Sequence, residues 1–291
     1  MELTWLEDFL ALAEHRNFSR AAEARHVTQP AFSRRIQALE QWVGTTLVLR
    51  TRQGVQLNAA GTTLHAGAVE LVRDLHQLRR AALRSAGREG ATLSIAATHA
   101  LSFTFLPGWI RNLELPGTLT LLSDTMAACE ALLLAGDADL LLGHAHPDMP
   151  SRLQAEHFAS LVVGRDLLVP VMAPGAGSGL PLLAYSQASG LGRILRAAHA
   201  GWADAPKLEA SVTAPLAATL QSLARQGEGI AWLPRSLAAE DLAGGQLVEA
   251  GEAYHAIPLE ITLIRPRRRL SATAEACWER ASAQSLRSAA T

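Results

Sequence analysis

The sequence predicts a multidomain α+β protein with an N-terminal winged helix-turn-helix, a long linker helix and a C-terminal α/β domain. Three observations lead to this fold class. A helix with one apolar and one cationic face follows a tight turn near the N-terminus. A proline-free stretch in the second half of the first hundred residues carries apolar residues at alternating spacings of three and four. In the remaining C-terminal part, short apolar runs alternate with helical stretches. The expected domains are residues 1–58, 59–90 and 91–291.

The N-terminal segment is expected to form three short helices around a small core. Ala21 and Ala22 are small enough to let the second helix cross the third closely. Thr28 is expected to cap the third helix by accepting a hydrogen bond from its first turn, where the missing N–H of Pro30 costs nothing. The expected buried faces of the first and third helices are Leu3, Leu6, Leu10 and Ala13, and Phe32, Ile36 and Leu39.

The outward face of the third helix carries polar and cationic side chains. These are Gln29, Ser33, Arg34 and Gln37. Arg can bridge guanine O6 and N7, Gln can pair with adenine N6 and N7, and Ser suits either base. The neighbouring Arg35 suits a phosphate. Taken alone, the face is as consistent with an ordinary solvated helix surface.

A small β-hairpin is predicted directly after this unit, in the segment TLVLRTRQGVQLNAAG (46–61). Apolar residues alternate on either side of the turn Gln53-Gly54, and Arg50 and Arg52 lie at its tip. A hairpin that served only packing would not need two arginines beside its turn. A helix-turn-helix followed by such a hairpin is a winged helix, which favours DNA binding over a solvated face.

Together these motifs resemble the DNA-binding domain of LysR-type transcriptional regulators. The shared pattern is FSxAA, VTQPAxSxxIxxLE, GxxL, RxRxGVxL and AG, in that order. The resemblance implies that the Gln-Pro pair, Ser and Arg of the third helix face DNA together with the wing arginines. Val48 replaces the family's usual aromatic residue, which alters packing rather than DNA contact. The expected DNA-binding set is Thr28, Gln29, Pro30, Ser33, Arg34, Arg35, Gln37, Arg50 and Arg52.

Composition narrows the class of protein further. No apolar run is long enough for a membrane helix, and the acidic, amphipathic start does not look like a signal peptide, so we expect a cytoplasmic protein. Cys129 and Cys277 lack a metal-ligand spacing. Residues 1–90 carry twelve arginines against nine acidic residues, whereas acids outnumber bases in the remainder. Only the front part is therefore suited to a polyanion.

The linker segment predicts a long helix with a heptad seam over residues 59–86. The seam consists of Leu64, Ala68, Leu71, Leu75, Leu78 and Ala82. The seam could pack on its own domain, but LysR-type regulators pair two chains here. Pairing would present two recognition helices to one DNA face and predicts a partly palindromic site.

The C-terminal part alternates strands and helices, which predicts parallel sheets with helices on both sides. Strands are expected at 92–98, 118–123, 139–144, 161–173, 180–186, 229–234 and 259–266, and helices at 101–113, 125–136, 190–200, 214–226 and 272–288. The resemblance implies two Rossmann-like lobes similar to periplasmic binding proteins, with an effector in the cleft between them. Lobe I would comprise 91–162 and 267–291, and lobe II 163–266.

Ligands of open α/β sheets bind at the carboxyl ends of strands, near helix N-termini. Polar residues there would suit a small anion or carboxylate, although each hydroxyl alone is as consistent with an ordinary N-cap. The effector-binding candidates are Thr98, His99, Ser102, Asp124, Thr125, His144, Ser186 and Gln187. No metal or other cofactor is expected, because His144 and His146 lack a third ligand at a recognisable spacing.

A narrower resemblance concerns the phrases ATHALSFTFLPGWI, LLAYSQASGLGRIL and GIAWLPRSL. They are similar to the hypochlorite-responsive subgroup of LysR-type regulators. An oxidant sensor could use Met126 or Cys129, which share one predicted helix, but a buried core position accounts for both residues as well.

The sequence therefore predicts a sequence-specific transcription regulator rather than an enzyme, because it shows no nucleophile elbow, Walker loop, paired carboxylates or zinc spacing. The expected partners are double-stranded promoter DNA, RNA polymerase, further copies in a homodimer or homotetramer, and an unidentified small anion, carboxylate or oxidant. No membrane contact is expected. The alternative is a constitutive DNA-binding regulator whose effector cleft is vestigial.

Overall fold

The computed structural model describes residues 1–51, 54–85, 92–115, 117–146, 149, 153–177, 179–200, 209–250 and 255–289. The chain divides into two compact units, one centred on residues 1–86 and the other on residues 87–291. The first unit contains one hydrophobic core and the second contains two, within the described ranges.

The first unit is a winged helix-turn-helix followed by a long helix, which confirms the predicted order. Its elements are α1 (Leu3–His15), α2 (Phe18–Ala24), α3 (Gln29–Val43), β1 (Val48–Thr51), β2 (Gly54–Leu57) and α4 (Ala59–Ser85). Strands β1 and β2 pair antiparallel. Helix α4 has 27 residues, and at 1.5 Å per residue it is about 40 Å long.

The core of the first unit confirms the prediction for α3 and corrects the one for α1. The three predicted apolar residues of α3 are fully buried, and Phe32 packs edge-to-face on Phe18 with ring centroids 6.1 Å apart. In α1 the buried apolar residues are Leu6, Phe9 and Leu12. The other members of the predicted stripe, Leu3, Leu10 and Ala13, are only half-buried. The helix is rotated so that the larger Phe9 fills the centre of the core.

The second unit contains the remaining elements. They are β3 (Thr92–Thr98), α5 (His99–Thr104), α6 (Leu106–Leu113), β4 (Thr118–Asp124), α7 (Met126–Ala135), β5 (Leu140–Ala145), β6 (Phe158–Met172), β7 (Leu182–Tyr185), α8 (Gly190–Ala200), β8 (Ala210–Ala214), α9 (Ala217–Arg225), β9 (Ala231–Pro234), α10 (Arg235–Ala243), β10 (Val248–Glu249), β11 (Ile257–Pro266) and α11 (Ala272–Ala289). The single helix predicted at 101–113 is two helices, because Pro107 cannot continue the first and starts the second.

The main sheet is mixed, which corrects the prediction of purely parallel sheets. Strand β3 pairs parallel with β4 and β5. Strand β11 pairs antiparallel with β5 and β6, and β6 pairs antiparallel with β9 and β10. The long strands β6 and β11 run in opposite directions through the unit, so their ladder cannot be parallel. A separate small sheet pairs β7 with β8 in parallel.

Two hydrophobic cores define two lobes of the second unit. Lobe I packs β3, β5 and the first half of β6 against α5, α6 and α11, around Ile95, Leu142 and Leu263. Lobe II packs the second half of β6 and β7–β9 against α8–α10, around Leu183, Leu220 and Trp232. Strands β6 and β11 contribute to both cores and connect the lobes.

Candidate nucleic-acid interface and effector cleft

The third helix begins as the sequence predicts, with one correction. Thr28 occupies the N-cap position with extended backbone angles, and Pro30 lies in the first turn. The Thr28 side chain, however, makes no capping hydrogen bond. A side-chain cap is found one helix earlier, where Asn17 Oδ1 accepts from the amides of Ser19 and Arg20 at 2.9 and 3.1 Å. That cap fixes the α1–α2 turn, whereas the α2–α3 turn is closed by backbone hydrogen bonds, in which the His26 and Val27 amides donate to the Glu23 and Ala22 carbonyls at 3.0 Å each.

The outward face of α3 carries the predicted polar row. Gln29, Arg34 and Gln37 are exposed and Ser33 is half-buried. The Gln29 amide donates to the Ser33 hydroxyl at 3.1 Å, so these two side chains, one turn apart, are held on the same side of the helix. Their groups can offer donors and acceptors to base edges without first breaking a contact to the core.

Arg35 differs from the other candidates on this helix. Its Nη1 donates to Asp8 Oδ2 at 3.2 Å, and Asp8 also accepts from Arg25 Nε at 2.8 Å. The Asp8 side chain is fully buried. A buried carboxylate needs such partners because an unpaired charge in the interior is costly. Arg35 therefore joins α3 to α1 inside the unit, and its contact with a DNA phosphate stays a prediction.

The wing forms as predicted and is fixed to the end of α1. The Arg16 carbonyl accepts from the Val55 amide at 2.9 Å. Gly54 has φ +118°, and a Cβ there would lie 2.6 Å from the same carbonyl oxygen, so glycine is required. Arg50 is exposed, and its guanidinium carbon lies 4.8 Å from the ring centroid of Phe18. Arg52 and the turn residue Gln53 lie outside the described residues.

The predicted seam of α4 divides into two parts. Ala68 and Val72 are buried in the core of the first unit, and the half-buried Leu64 packs against that core. Farther along, Leu71, Leu75 and Leu78 are 45%, 39% and 68% exposed. The start of the seam thus packs on its own domain, while the later leucines leave an apolar stripe on the helix surface.

A cleft lies between the two lobes of the second unit, and in this arrangement of the lobes its cavity volume is only about 30 Å³, the space of one water molecule. Five of the eight predicted effector residues line it, namely Thr98, His99, Asp124, Thr125 and His144. Lobe II contributes the residues that begin α8 and α9, including Ser189, Gly190 and Ala217. The helices α7, α8 and α9 all start at this cleft, so their N-terminal amides and positive dipole ends are directed toward it.

Three predicted effector residues do not line the cleft. Ser102 lies one turn into α5, where its hydroxyl donates to the His99 carbonyl at 2.7 Å and accepts from Ser123 at 2.9 Å. Gln187 is exposed, and Ser186 directly follows the end of β7. The chain makes a further turn before α8 starts, so Ser189 takes the expected place. Its hydroxyl accepts from the Gly192 amide at 3.3 Å.

Only some of the polar groups in the cleft form hydrogen bonds with other described residues of the protein. The Thr125 hydroxyl accepts from the Ala128 amide at 3.3 Å, and the Thr125 amide donates to Asp124 Oδ1 at 2.6 Å. These contacts cap the start of α7, as the N-cap alternative expected. The buried Thr98 hydroxyl has no hydrogen-bond partner in the described part of the chain. It is therefore available to a bound molecule.

His144 lies at the floor of the cleft and is buried. Burial lowers the pKa of His144 below its usual value, and this outweighs the raising effect of the Asp166 carboxylate, whose oxygen lies 4.0 Å from Nε2. The imidazole is thus neutral at physiological pH and can donate or accept a hydrogen bond.

The thiols and metal-ligating groups offer little further chemistry. Burial raises the pKa of Cys129 and of Cys277 to about 12, so both remain thiols rather than the reactive thiolates. Within the described ranges, no group of three or more His, Cys, Asp or Glu side chains could hold a metal ion. Nor does any helix in those ranges combine the length and apolarity needed to cross a membrane.

A winged helix-turn-helix joined to a two-lobe α/β domain with a cleft between its lobes defines a DNA-binding regulator that responds to an effector. Residues 3–62 match the family profile described as a bacterial regulatory helix-turn-helix protein of the lysR family, and residues 86–285 match the LysR substrate binding domain. The chain belongs to the LysR family of transcriptional regulators.

Similar proteins agree with this assignment over nearly the whole chain. The HTH-type transcriptional regulator YjiE of Escherichia coli (strain K12) is 32% identical over 96% of this chain and 93% of its own length. The crystal structure of VV2_1132, a LysR family transcriptional regulator, has a TM-score of 0.59 at 30% identity and covers 97% of this chain and 98% of that one. Full-length HypT from Salmonella typhimurium, a hypochlorite-specific LysR-type regulator, has a TM-score of 0.56 at 30% identity, with 98% and 99% coverage.

Proposed function

We propose that this regulator recognises partly palindromic promoter DNA as a dimer and changes its activity when a small anion or carboxylate enters the cleft between its lobes. The domains of this proposal are residues 1–58 for DNA binding, 59–90 for dimerisation and 91–291 for effector binding. The setting is the cytoplasm, and RNA polymerase is the expected partner at the promoter. The cleft acts by binding, and no catalysis is assigned to it.

The observation that carries the effector proposal is the start of three helices at one cleft. Each helix N-terminus offers backbone N–H groups and a partial positive charge, which favour an anion. The unpartnered Thr98 hydroxyl and the neutral His144 add hydrogen-bonding groups of the kind that orient a carboxylate. A ligand bound here changes the regulator only to the extent that it prefers one arrangement of the lobes over another.

The DNA-binding proposal depends on the outward row of α3. Gln29, Arg34 and Gln37 present base-reading groups, and the wing of the same unit carries the exposed Arg50. The apolar stripe of α4, formed by Leu71, Leu75 and Leu78, supports pairing of two copies. Pairing would place two such helices on one DNA face, which is why we expect a two-fold symmetric site.

A thermal-shift titration of the full-length protein tests the effector proposal. We expect benzoate, acetate or inorganic phosphate to raise the melting temperature, and Thr98→Ala to weaken that response about tenfold in apparent affinity. Ser102→Ala is the matched control, because this hydroxyl faces Ser123 rather than the cleft. If no anion stabilises the wild type, the cleft is vestigial and the regulator acts constitutively.

An oxidant is the second candidate effector, favoured by the similarity to the hypochlorite-specific regulator. Met126 lines the cleft and is buried beside Gly143, where an added Cβ would lie 3.0 Å from the methionine sulfur. Oxidation would place a polar sulfoxide in this tight contact. Footprinting before and after hypochlorite treatment, with Met126→Leu as the resistant variant, tests this; an unchanged response of Met126→Leu would exclude Met126 as the sensor.

A further inference from the structure

A buried ion pair joins the two lobes on one side of the cleft. Glu130 is on α7, which connects β4 to β5 on the lobe I side, and Arg193 is on α8, which packs in the core of lobe II. Arg193 donates from Nη1 and Nη2 to the two oxygens of Glu130, with both distances 2.9 Å. The side chains are only 2% and 15% exposed. Such a bidentate geometry fixes both the distance and the orientation of the two helices.

Two further contacts join the same pair of helices. The Ala127 amide, in the first turn of α7, donates to the Ala188 carbonyl just before α8 at 3.3 Å. Met126 packs against Gly190 so closely that a Cβ added at Gly190 would lie 2.9 Å from the Met126 Cβ. Because Met126 and Gly190 also line the cleft, these contacts fix the wall of the cleft itself.

We infer that Glu130 and Arg193 are positioning residues that hold the lobes together beside the cleft and set how readily it opens to a ligand. When Glu130 is neutralised, the largely buried Arg193 loses this counter-ion, and separation of the helices lets water solvate its charge. Loss of the pair therefore favours the open arrangement. The inference rests on the proposed function in one respect, namely that the cleft is the effector site.

Hydrogen–deuterium exchange of the full-length protein measures this opening without a ligand. In Glu130→Gln we expect the segments 127–130 and 189–193 to exchange about tenfold faster, and both together, while β3 and β5 keep their protection. Arg193→Lys, which keeps the charge but loses the planar fork, is expected to change the same two segments less. This second variant decides the matter if Glu130→Gln does not fold.

The matched control is a second bidentate pair that lies within lobe I. Arg265 of β11 donates from Nη1 and Nη2 to both oxygens of Glu275 of α11, at 2.7 Å each. Glu275→Gln breaks a pair of the same geometry without touching the contact between lobes, so it should leave exchange in segment 189–193 unchanged. Unchanged exchange in both Glu130→Gln and Arg193→Lys would overturn the inference, as would the same acceleration in Glu275→Gln.

A titration with benzoate separates this inference from the effector proposal. If benzoate binds the wild type, Glu130→Gln should weaken its affinity about fivefold or more, because the ligand would be held between residues of both lobes and the variant favours the arrangement in which they are apart; Glu275→Gln should not. Faster exchange in Glu130→Gln without any benzoate, acetate or phosphate binding would support the ion-pair inference and contradict the effector proposal. If Glu130→Gln exchanges like the wild type and binds benzoate with unchanged affinity, the effector proposal is supported and the ion-pair inference is contradicted.

Discussion

Two adjacent arginines of α3 give the sharpest prediction, because the structure assigns them different surroundings. Arg34 is exposed and makes no ion pair with any described residue, whereas Arg35 donates to the buried Asp8. If Arg34 contacts DNA as proposed, replacing it with alanine removes that contact, and we expect the fold to stay intact. Replacing Arg35 removes one of the contacts that compensate the Asp8 charge.

The magnitudes follow from these surroundings. Arg34→Ala should lose about 1–3 kcal/mol of specific binding, or about 5- to 150-fold in affinity, if the side chain reads a base. Arg35→Ala should lower the free energy of unfolding by about 1–2 kcal/mol. The loss of stability is small because the Arg35 side chain is 36% exposed, so solvent screens its ion pair with Asp8.

Fluorescence anisotropy with a selected DNA site and a random duplex measures the first effect, and urea unfolding measures the second. Arg34→Ala should weaken binding to the selected site far more than to the random duplex and should unfold like the wild type. An equal loss on both duplexes would show that Arg34 contacts phosphate. A loss of stability in Arg34→Ala equal to that of Arg35→Ala would refute the difference between the two side chains.

Three further predictions concern the linker helix and the cleft. Leu78→Asp should weaken dimerisation at least about tenfold in sedimentation, because burial of this exposed leucine in two copies contributes about 2–4 kcal/mol; an unchanged dimer would exclude the α4 stripe. Gly61→Ala should destabilise the protein by about 3 kcal/mol, since its Cβ would lie 2.1 Å from the Leu47 carbonyl oxygen, whereas Gly67→Ala, with open space around it, should not. The free energy of unfolding should fall as the pH drops below about 6.5, by at most about 1.4 kcal/mol per pH unit from His144, because the unfolded chain binds the proton that burial denies to the native imidazole. His144→Asn should flatten this dependence, and an identical slope in that variant would assign it to other groups.

The DNA-binding unit could be predicted almost entirely from the sequence, because its signals are local. The spacing of Phe32, Ile36 and Leu39 fixes which side of α3 is buried, and the alternation around Gln53-Gly54 fixes the hairpin. Where the prediction was wrong, in the register of α1 and in Thr28, the outcome depends on packing against other helices. The ion pair of Arg35 with Asp8 joins residues that are 27 positions apart, and no periodicity connects them.

The second unit was harder to predict because its geometry is set by long-range pairing. Short apolar runs identify β3, β5, β6 and β11 as strands but do not give the direction of neighbouring strands, so the antiparallel pairing of β6 and β11 was missed. Strand β8 lies mostly exposed and lacks the apolar run that marks the others. The cleft residues at the carboxyl ends of β3, β4 and β5 were predicted, because the end of an apolar strand can be located in the sequence.

Lobe II illustrates the limit of that approach. Its contribution to the cleft depends on where α8 begins, and the turn after β7 shifts the polar position from Ser186 and Gln187 to Ser189. The Glu130–Arg193 pair gave no signal in the sequence, because charged residues on two amphipathic helices are ordinarily solvated. Only the packing of α7 against α8 shows that Glu130 is buried and that Arg193 is largely covered.

The most direct test of the central claim is a DNase I footprint on the DNA that flanks the regulator's own gene, with wild type and Arg34→Ala in parallel. We predict that the wild type protects a partly palindromic sequence whose half-sites are about one or more helical turns apart, and that Arg34→Ala loses this protection. Uniform weak binding along the DNA by both proteins, without a symmetric protected site, would contradict the claim.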